Sequence, residues 1–119
     1  MARNEEERQV EVIEALETKA RTLAHSTRDV PNPPDSYTLL AELAATLSHL
    51  QQVCDQLGAW HRRVVDGVEY EGEDDRGDGV TGTIAAATAL DQAAKALRTA
   101  GAAVGSAHTA NGVVRWKER

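Results

Sequence analysis

The most constraining feature of the sequence is an apolar pattern that recurs every three or four residues between Leu40 and Val68. Alternating steps of three and four are typical of the seam along which a helix packs against other helices. A helix that carries this pattern would be roughly 50 Å long. The seam consists of Leu40, Leu43, Leu47, Leu50, Cys54, Leu57, His61, Val64 and Val68.

Start and stop signals bound this second helix at about residues 33–67. Asn32 is a suitable cap, Pro33 suits the first helical position, and Asp35 suits the positive end of the helix dipole. At the other end, Arg62 and Arg63 lie where cations are favoured.

A first helix is predicted over about residues 4–28. Asn4 and Glu7 have the spacing of a capping box, and the prolines from Pro31 onward end the helix. Its apolar stripe consists of Val10, Ile13, Leu16, Ala20 and Leu23.

A third helix is predicted over about residues 81–110, with a seam made largely of small residues. Small side chains at seam positions let a second helix backbone come close. Asn111-Gly112 is a good stop signal, and residues 113–119 form a short basic tail. The seam consists of Ala87, Leu90, Ala94, Leu97, Gly101, Val104 and His108.

Together these helices predict an all-α fold: an elongated, antiparallel three-helix bundle in a single domain, residues 1–119. The 20 alanines and the absence of phenylalanine fit this class, because alanine is the best helix former. The short first helix covers only part of the long seam. We therefore expect self-association, with a homodimer as the simplest arrangement.

Charge and cysteine content limit the class of partner and the cellular location that we expect for this protein. The formal net charge of −6 does not suit a general binder of nucleic-acid phosphates, which needs clustered Lys and Arg. Cys54 is the single cysteine, and no apolar run approaches the ~18 residues of a membrane span. These features predict a cytoplasmic protein without a membrane segment. The ten Arg against three Lys suggest a GC-rich genome, and we expect a component of a bacterial or phage system.

An acidic loop over residues 69–79 separates the second and third helices. It fails the EF-hand pattern, because Arg76 stands at the third loop position and Ala85 at the twelfth. We interpret the loop as a solvated connection that could also meet a basic partner. Its acidic residues are Glu71, Glu73, Asp74, Asp75 and Asp78.

No metal, cofactor or catalytic group is predicted. Antiparallel packing would bring His25, His108 and Asp35 to one end of the bundle, a set that could bind zinc, but no HExxH-like pair supports it. Cys54 and His61 lie two helical turns apart, roughly 10 Å, which is too far for a thiolate–imidazole pair.

The sequence thus predicts a non-enzymatic protein–protein interaction module, such as a small adaptor or assembly component. The alternative is a nucleic-acid-related regulator, which either binds DNA weakly through the basic tail or acts as an acidic mimic on a nucleic-acid-binding protein. Exposed aromatic residues commonly anchor interfaces. The predicted partner-facing residues are Trp60, Tyr37, Trp116, Gly101 and Gly105.

Overall fold

The structure is a computed structural model that describes residues 4–71, 73–74 and 77–118. The predicted all-α fold with three helices, two of them long and packed against each other, is confirmed. In order, the elements are a 3-10 helix (Glu5–Arg8), α1 (Gln9–Ser26), α2 (Asp35–Arg63), two short strands, β1 (Glu73–Asp74) and β2 (Gly77–Asp78), and α3 (Gly79–Asn111).

Contacts between residues divide the chain into two compact units. One consists of Met1–Asp35 with Trp116–Arg119, and the other of Ser36–Arg115. The second unit contains nearly all of α2 and the whole of α3, and we call it the hairpin unit. Across the described residues, no helix is both long enough and apolar enough to span a membrane.

In the first unit, the predicted capping box is present. The Asn4 side chain accepts a hydrogen bond from the Glu7 N–H at 2.9 Å, and the Glu7 carboxylate accepts one from the Asn4 N–H at 3.3 Å. The box opens a 3-10 turn rather than an α-helix, and α1 follows it and ends at Ser26. Val10 and Ile13 of the predicted apolar stripe are exposed, whereas Leu16 is half-buried.

α2 is shorter than the predicted span of residues 33–67. It begins at Asp35, after a turn in which the Asp35 N–H donates to the Asn32 carbonyl at 3.0 Å. It ends at Arg63, so the predicted seam residues Val64 and Val68 lie beyond the helix. The chain turns here because Gly67 adopts a positive φ of 86°, a left-handed conformation that glycine reaches without strain.

α3 begins two residues before the predicted start at residue 81. Asp78 is its N-cap, with one carboxylate oxygen accepting from the Val80 N–H and the other from the Thr81 hydroxyl, both at 3.1 Å. Such a cap satisfies donors at the helix start. Asp78 also belongs to β2, which pairs antiparallel with β1 in the register Glu73↔Asp78.

α2 and α3 pack antiparallel, and small residues set their closest approach. Gly58 is buried, and a Cβ built there would lie 3.2 Å from Asp91 Oδ1 and 3.6 Å from the Ala87 carbonyl oxygen. Ala87 and Ala94 of the predicted α3 seam are the fully buried apolar side chains of the described residues. The other residues of that seam are half-buried, so its prediction is confirmed.

The buried face of α2 agrees with most of the predicted seam, because Leu40, Leu47, Leu50, Cys54 and His61 are half-buried, and it differs at two positions. Leu43 and Leu57, expected in the core, are 40% and 46% exposed. A stripe of half-buried or buried residues is centred to one side of Leu43 and Leu57 on the helix. That stripe consists of Leu40, Ala44, Leu47, Gln51, Cys54, Gly58 and His61.

The end of α3 lies one residue past the predicted boundary, at Asn111. Gly112 caps the helix with a φ of −63°, so it is not there to supply a left-handed conformation. Instead, a Cβ at Gly112 would lie 3.2 Å from Tyr37 Cε1, which means that the glycine lets the tyrosine ring come close.

Candidate functional site

The hairpin unit has a half-open cleft at its loop end. The cleft has a volume of about 400 Å³. α2 and the residues just after it contribute Trp60, His61 and Val64. The following turn contributes Glu69, Tyr70 and Glu71. α3 contributes Gly79, Gly82, Thr83 and Ala86.

The turn after α2 brings the polar side of the cleft back to the helix end. The Gly67 N–H donates to the Tyr70 carbonyl at 2.7 Å, and Asp66 and Tyr70 form a parallel bridge. Glu69 Oε2 accepts from the Val65 N–H, also at 2.7 Å. Glu69 is thereby held by one carboxylate oxygen beside the cleft.

The aromatic wall of the cleft consists of Trp60 and His61 on α2. Their rings meet edge to face, with centroids 4.9 Å apart and an interplanar angle of 86°. His61 Nδ1 lies 2.6 Å from the Leu57 carbonyl oxygen. A carbonyl only accepts, so Nδ1 carries a proton and donates in this contact.

An ion pair between the two helices lies near the same end of the hairpin unit. Arg62 Nη1 donates to Asp91 Oδ1 at 3.2 Å, and Arg62 Nη2 donates to Asp91 Oδ2. This two-bond arrangement is the strong form of an arginine–carboxylate contact. The hydrogen bonds from Arg62 lower the pKa of Asp91, and those to Asp91 raise the pKa of Arg62.

A second feature is an apolar surface along α2, which we call the outer face. Its exposed members include Leu43, Val53, Leu57 and Trp60, of which Val53 is 40% and Trp60 42% exposed. Leu50 on the same side is half-buried. Spacings of 7, 3, 4 and 3 residues keep the five on one side of a helix. The outer face consists of Leu43, Leu50, Val53, Leu57 and Trp60.

At the opposite end of the hairpin unit, Tyr37 and His108 lie against each other. Their ring centroids are 4.1 Å apart with an interplanar angle of 32°. The Asn111 amide donates to the Ser36 hydroxyl at 2.9 Å beside them. Within the described part of the chain, His108 Nε2 is buried and has no hydrogen-bonding partner. This predicted metal ligand therefore belongs to the packing of α2 on α3.

The other two predicted metal candidates make local contacts. His25 Nε2 lies 3.0 Å from Arg28 Nη2, and the Asp35 carboxylate accepts from the Asn32 amide at 3.3 Å. Across residues 4–71, 73–74 and 77–118, no three His, Cys, Asp or Glu side chains are grouped so that they could hold a metal ion.

The remaining predicted partner residues fall in different places. Gly101 faces α2, where a Cβ would lie 3.9 Å from Leu47 Cβ, so it contributes to packing within the chain. Gly105 is half-buried, and a Cβ there would meet no heavy atom within 4 Å. Trp116, beyond α3, is 43% exposed.

The predicted acidic loop has members with separate roles. Glu71 lines the cleft and Asp78 caps α3, whereas Glu73 and Asp74 form β1. Asp75 lies outside the described residues. The structure therefore assigns two of these carboxylates to defined positions within a segment that the sequence presented as one solvated connection.

Sequence reasoning missed both the cleft and Gly58. The cleft depends on the turn at Gly67, and the single glycine between Val65 and Val68 was the available signal for that turn. Gly58 was also visible as a glycine inside a strongly helical stretch, which usually has a packing reason.

Comparison of the chain with family models, with curated proteins and with solved structures finds no match.

Proposed function

We propose that this chain is a non-enzymatic protein-interaction module that associates through the outer face of α2, with a second copy of itself as the first partner. The supporting observation is the exposure of four large apolar side chains on that face, beside a hairpin that fully buries only two alanines among its described apolar residues. Contiguous exposed apolar surface of this kind marks interaction sites.

Energetics favour covering this face. Full burial of a Val, Leu or aromatic side chain contributes about 1.5–3 kcal/mol, and the inner side of the hairpin supplies little of this because its buried residues are Ala and Gly. A second α2 laid against the first would bury both outer faces in a symmetric interface. Trp60, at one end of the face, is the residue type most enriched among interface anchors.

The test compares two charge-introducing variants of the full chain by light scattering during size-exclusion chromatography. Leu57→Glu places a carboxylate in the centre of the outer face and should weaken self-association tenfold or more, because it buries a charge where a leucine was. Ile84→Glu is the matched control on α3, where Ile84 is 59% exposed and lies outside the outer face.

The proposal requires that Leu57→Glu and Trp60→Ala both reduce the mass while Ile84→Glu leaves it as in the wild type. A wild-type chain that is monomeric at every concentration, or equal behaviour of Leu57→Glu and Ile84→Glu, would contradict it.

A second candidate function is the occupation of a basic, nucleic-acid-binding protein by this acidic chain. It is supported by the cleft, whose lining among the described residues has two glutamates and no lysine or arginine, and by the net charge of −6. Capture of the chain by a basic nucleic-acid-binding protein, reversed by added nucleic acid, would favour this candidate. A salt-dependent gel shift with DNA alone would favour direct binding through the basic tail instead.

A further inference from the structure

We propose that the cleft at the loop end of the hairpin unit binds an arginine side chain presented by a segment of a partner protein. The proposed site shares Trp60 with the outer face, whereas its other lining residues lie outside that face, so the Leu57→Glu variant tests the site without self-association. The proposal is argued from the shape of the cleft, from its aromatic wall and from the charge of its lining.

The size and opening of the cleft suit a long side chain. Its volume of about 400 Å³ lies near the lower end of the range for ligand sites. The cleft is open on one side, so the occupant can enter by its tip while its backbone stays in solvent. Gly79, Gly82 and Ala86 on α3 leave room, and a Cβ at Gly82 would meet no heavy atom within 4 Å.

The chemistry of the walls favours a planar cation. An exposed indole such as that of Trp60 attracts a guanidinium over its face, and the carboxylates of Glu69 and Glu71 accept its N–H groups. Arginine fits better than lysine because its fork of donors matches carboxylate geometry and its plane stacks on aromatic rings.

The charges nearest the cleft also favour a cation. The N-terminus of α3 would by itself repel one, because it is the positive end of the helix dipole. Asp78 offsets this by capping the helix at the Val80 N–H. The positive charge of Arg62 is paired with Asp91, and among the described lining residues Glu69 and Glu71 carry the acidic charges.

The test is an NMR titration of the labelled full chain with a short, blocked peptide that carries one arginine between small residues. The control peptide carries citrulline, which keeps the shape of arginine without its charge. We expect saturable shifts at the Trp60 indole and at the amides of Tyr70, Gly82 and Thr83 with the arginine peptide, and much weaker binding of the citrulline peptide. Equal binding of the two peptides, or the absence of saturable shifts at the cleft, would overturn the proposal.

Matched variants of the chain distinguish binding at the cleft from general electrostatic attraction to an acidic protein. Glu71→Gln removes a cleft carboxylate that forms no hydrogen bond with another described residue, and it should weaken binding about three- to tenfold. Asp55→Asn removes the same charge from α2 outside the cleft and should leave binding unchanged. Gly82→Leu fills the cleft with a residue that favours helix formation, and it should abolish binding without loss of thermal stability.

Two further outcomes distinguish this site from general charge attraction and from a site for small organic cations. Equal weakening by Asp55→Asn and Glu71→Gln would reduce the effect to overall charge and would overturn the site. Binding of free arginine as tightly as the peptide would assign the cleft to small organic cations, against a partner segment. The Leu57→Glu variant should still bind the peptide, so failure of self-association and failure of the cleft remain distinguishable.

Discussion

Gly67 is the residue on which the geometry of the cleft depends most directly. Its φ of 86° allows the turn that brings Glu69 and Tyr70 back toward the end of α2. A Cβ at this position would meet no heavy atom within 4 Å, so a substitution is opposed by backbone conformation alone. A substitution at Gly67 therefore tests backbone strain alone, whereas most glycine substitutions combine backbone strain with steric crowding.

We predict that Gly67→Ala lowers the free energy of unfolding by about 1–2 kcal/mol, because an L-residue with a side chain is strained in the left-handed region. Gly67→Asn should cost less, since asparagine tolerates that region. Urea unfolding followed by circular dichroism gives both values. A stabilising effect of Gly67→Ala would mean that the turn is not held in this conformation in solution.

The Arg62–Asp91 pair gives a second prediction at the same scale. Hydrogen bonds from Arg62 lower the pKa of Asp91 in the folded chain, so the pair stabilises folding above the unfolded pKa of about 3.9 and this contribution is lost as the pH falls through the folded pKa. Asp91→Asn should therefore lower the melting temperature slightly at neutral pH. The difference from the wild type should shrink as the pH falls through the folded pKa of Asp91 and disappear below it.

Asp55→Asn is the control for this pH series, because it removes a carboxylate from α2 without touching Arg62. It should show no comparable pH-dependent loss. A difference between Asp91→Asn and the wild type that persists undiminished in acid would show that Asp91 acts by packing rather than by its charge.

At the scale of helices, the sequence predicted the α3 seam correctly because Leu90, Leu97 and Val104 recur at helical spacing among small residues. α2 is apolar over more than one side, so periodicity alone did not decide which side faces α3. The deciding contact is Gly58 against Ala87 and Leu90, a close approach that turns Leu43 and Leu57 outward. Periodicity could not predict the cleft either, because residues of α2, the turn and α3 form it together.

The closeness of the two helices at Gly58 is testable with a pair of glycine substitutions. Gly58→Leu should destabilise the chain by about 1–3 kcal/mol, because the added atoms have no room between α2 and α3. Gly105→Ala should stabilise it by about 0.5–1 kcal/mol, because its Cβ enters open space and alanine favours the helix. Chemical denaturation measures both, and a neutral effect of Gly58→Leu would contradict the observed packing.

At the scale of the whole molecule, the prediction of a helical chain with two long antiparallel helices is confirmed, and self-association remains a proposal. Helix formation and self-association have different physical causes. Helix formation follows from local propensity and capping, which are readable along the sequence. Association depends on which surfaces remain exposed after folding, and the exposure of Val53, Leu57 and Trp60 became known only with the structure.

The most direct test of the central claim is the mass of the wild-type chain by sedimentation equilibrium over a dilution series. If the outer face of α2 is covered by a second copy, the mass should approach twice the chain mass of 12.8 kDa at high concentration and fall toward 12.8 kDa on dilution. At each concentration where the wild type associates, Leu57→Glu should stay closer to 12.8 kDa than the wild type. A wild-type mass of 12.8 kDa at every concentration would contradict the claim.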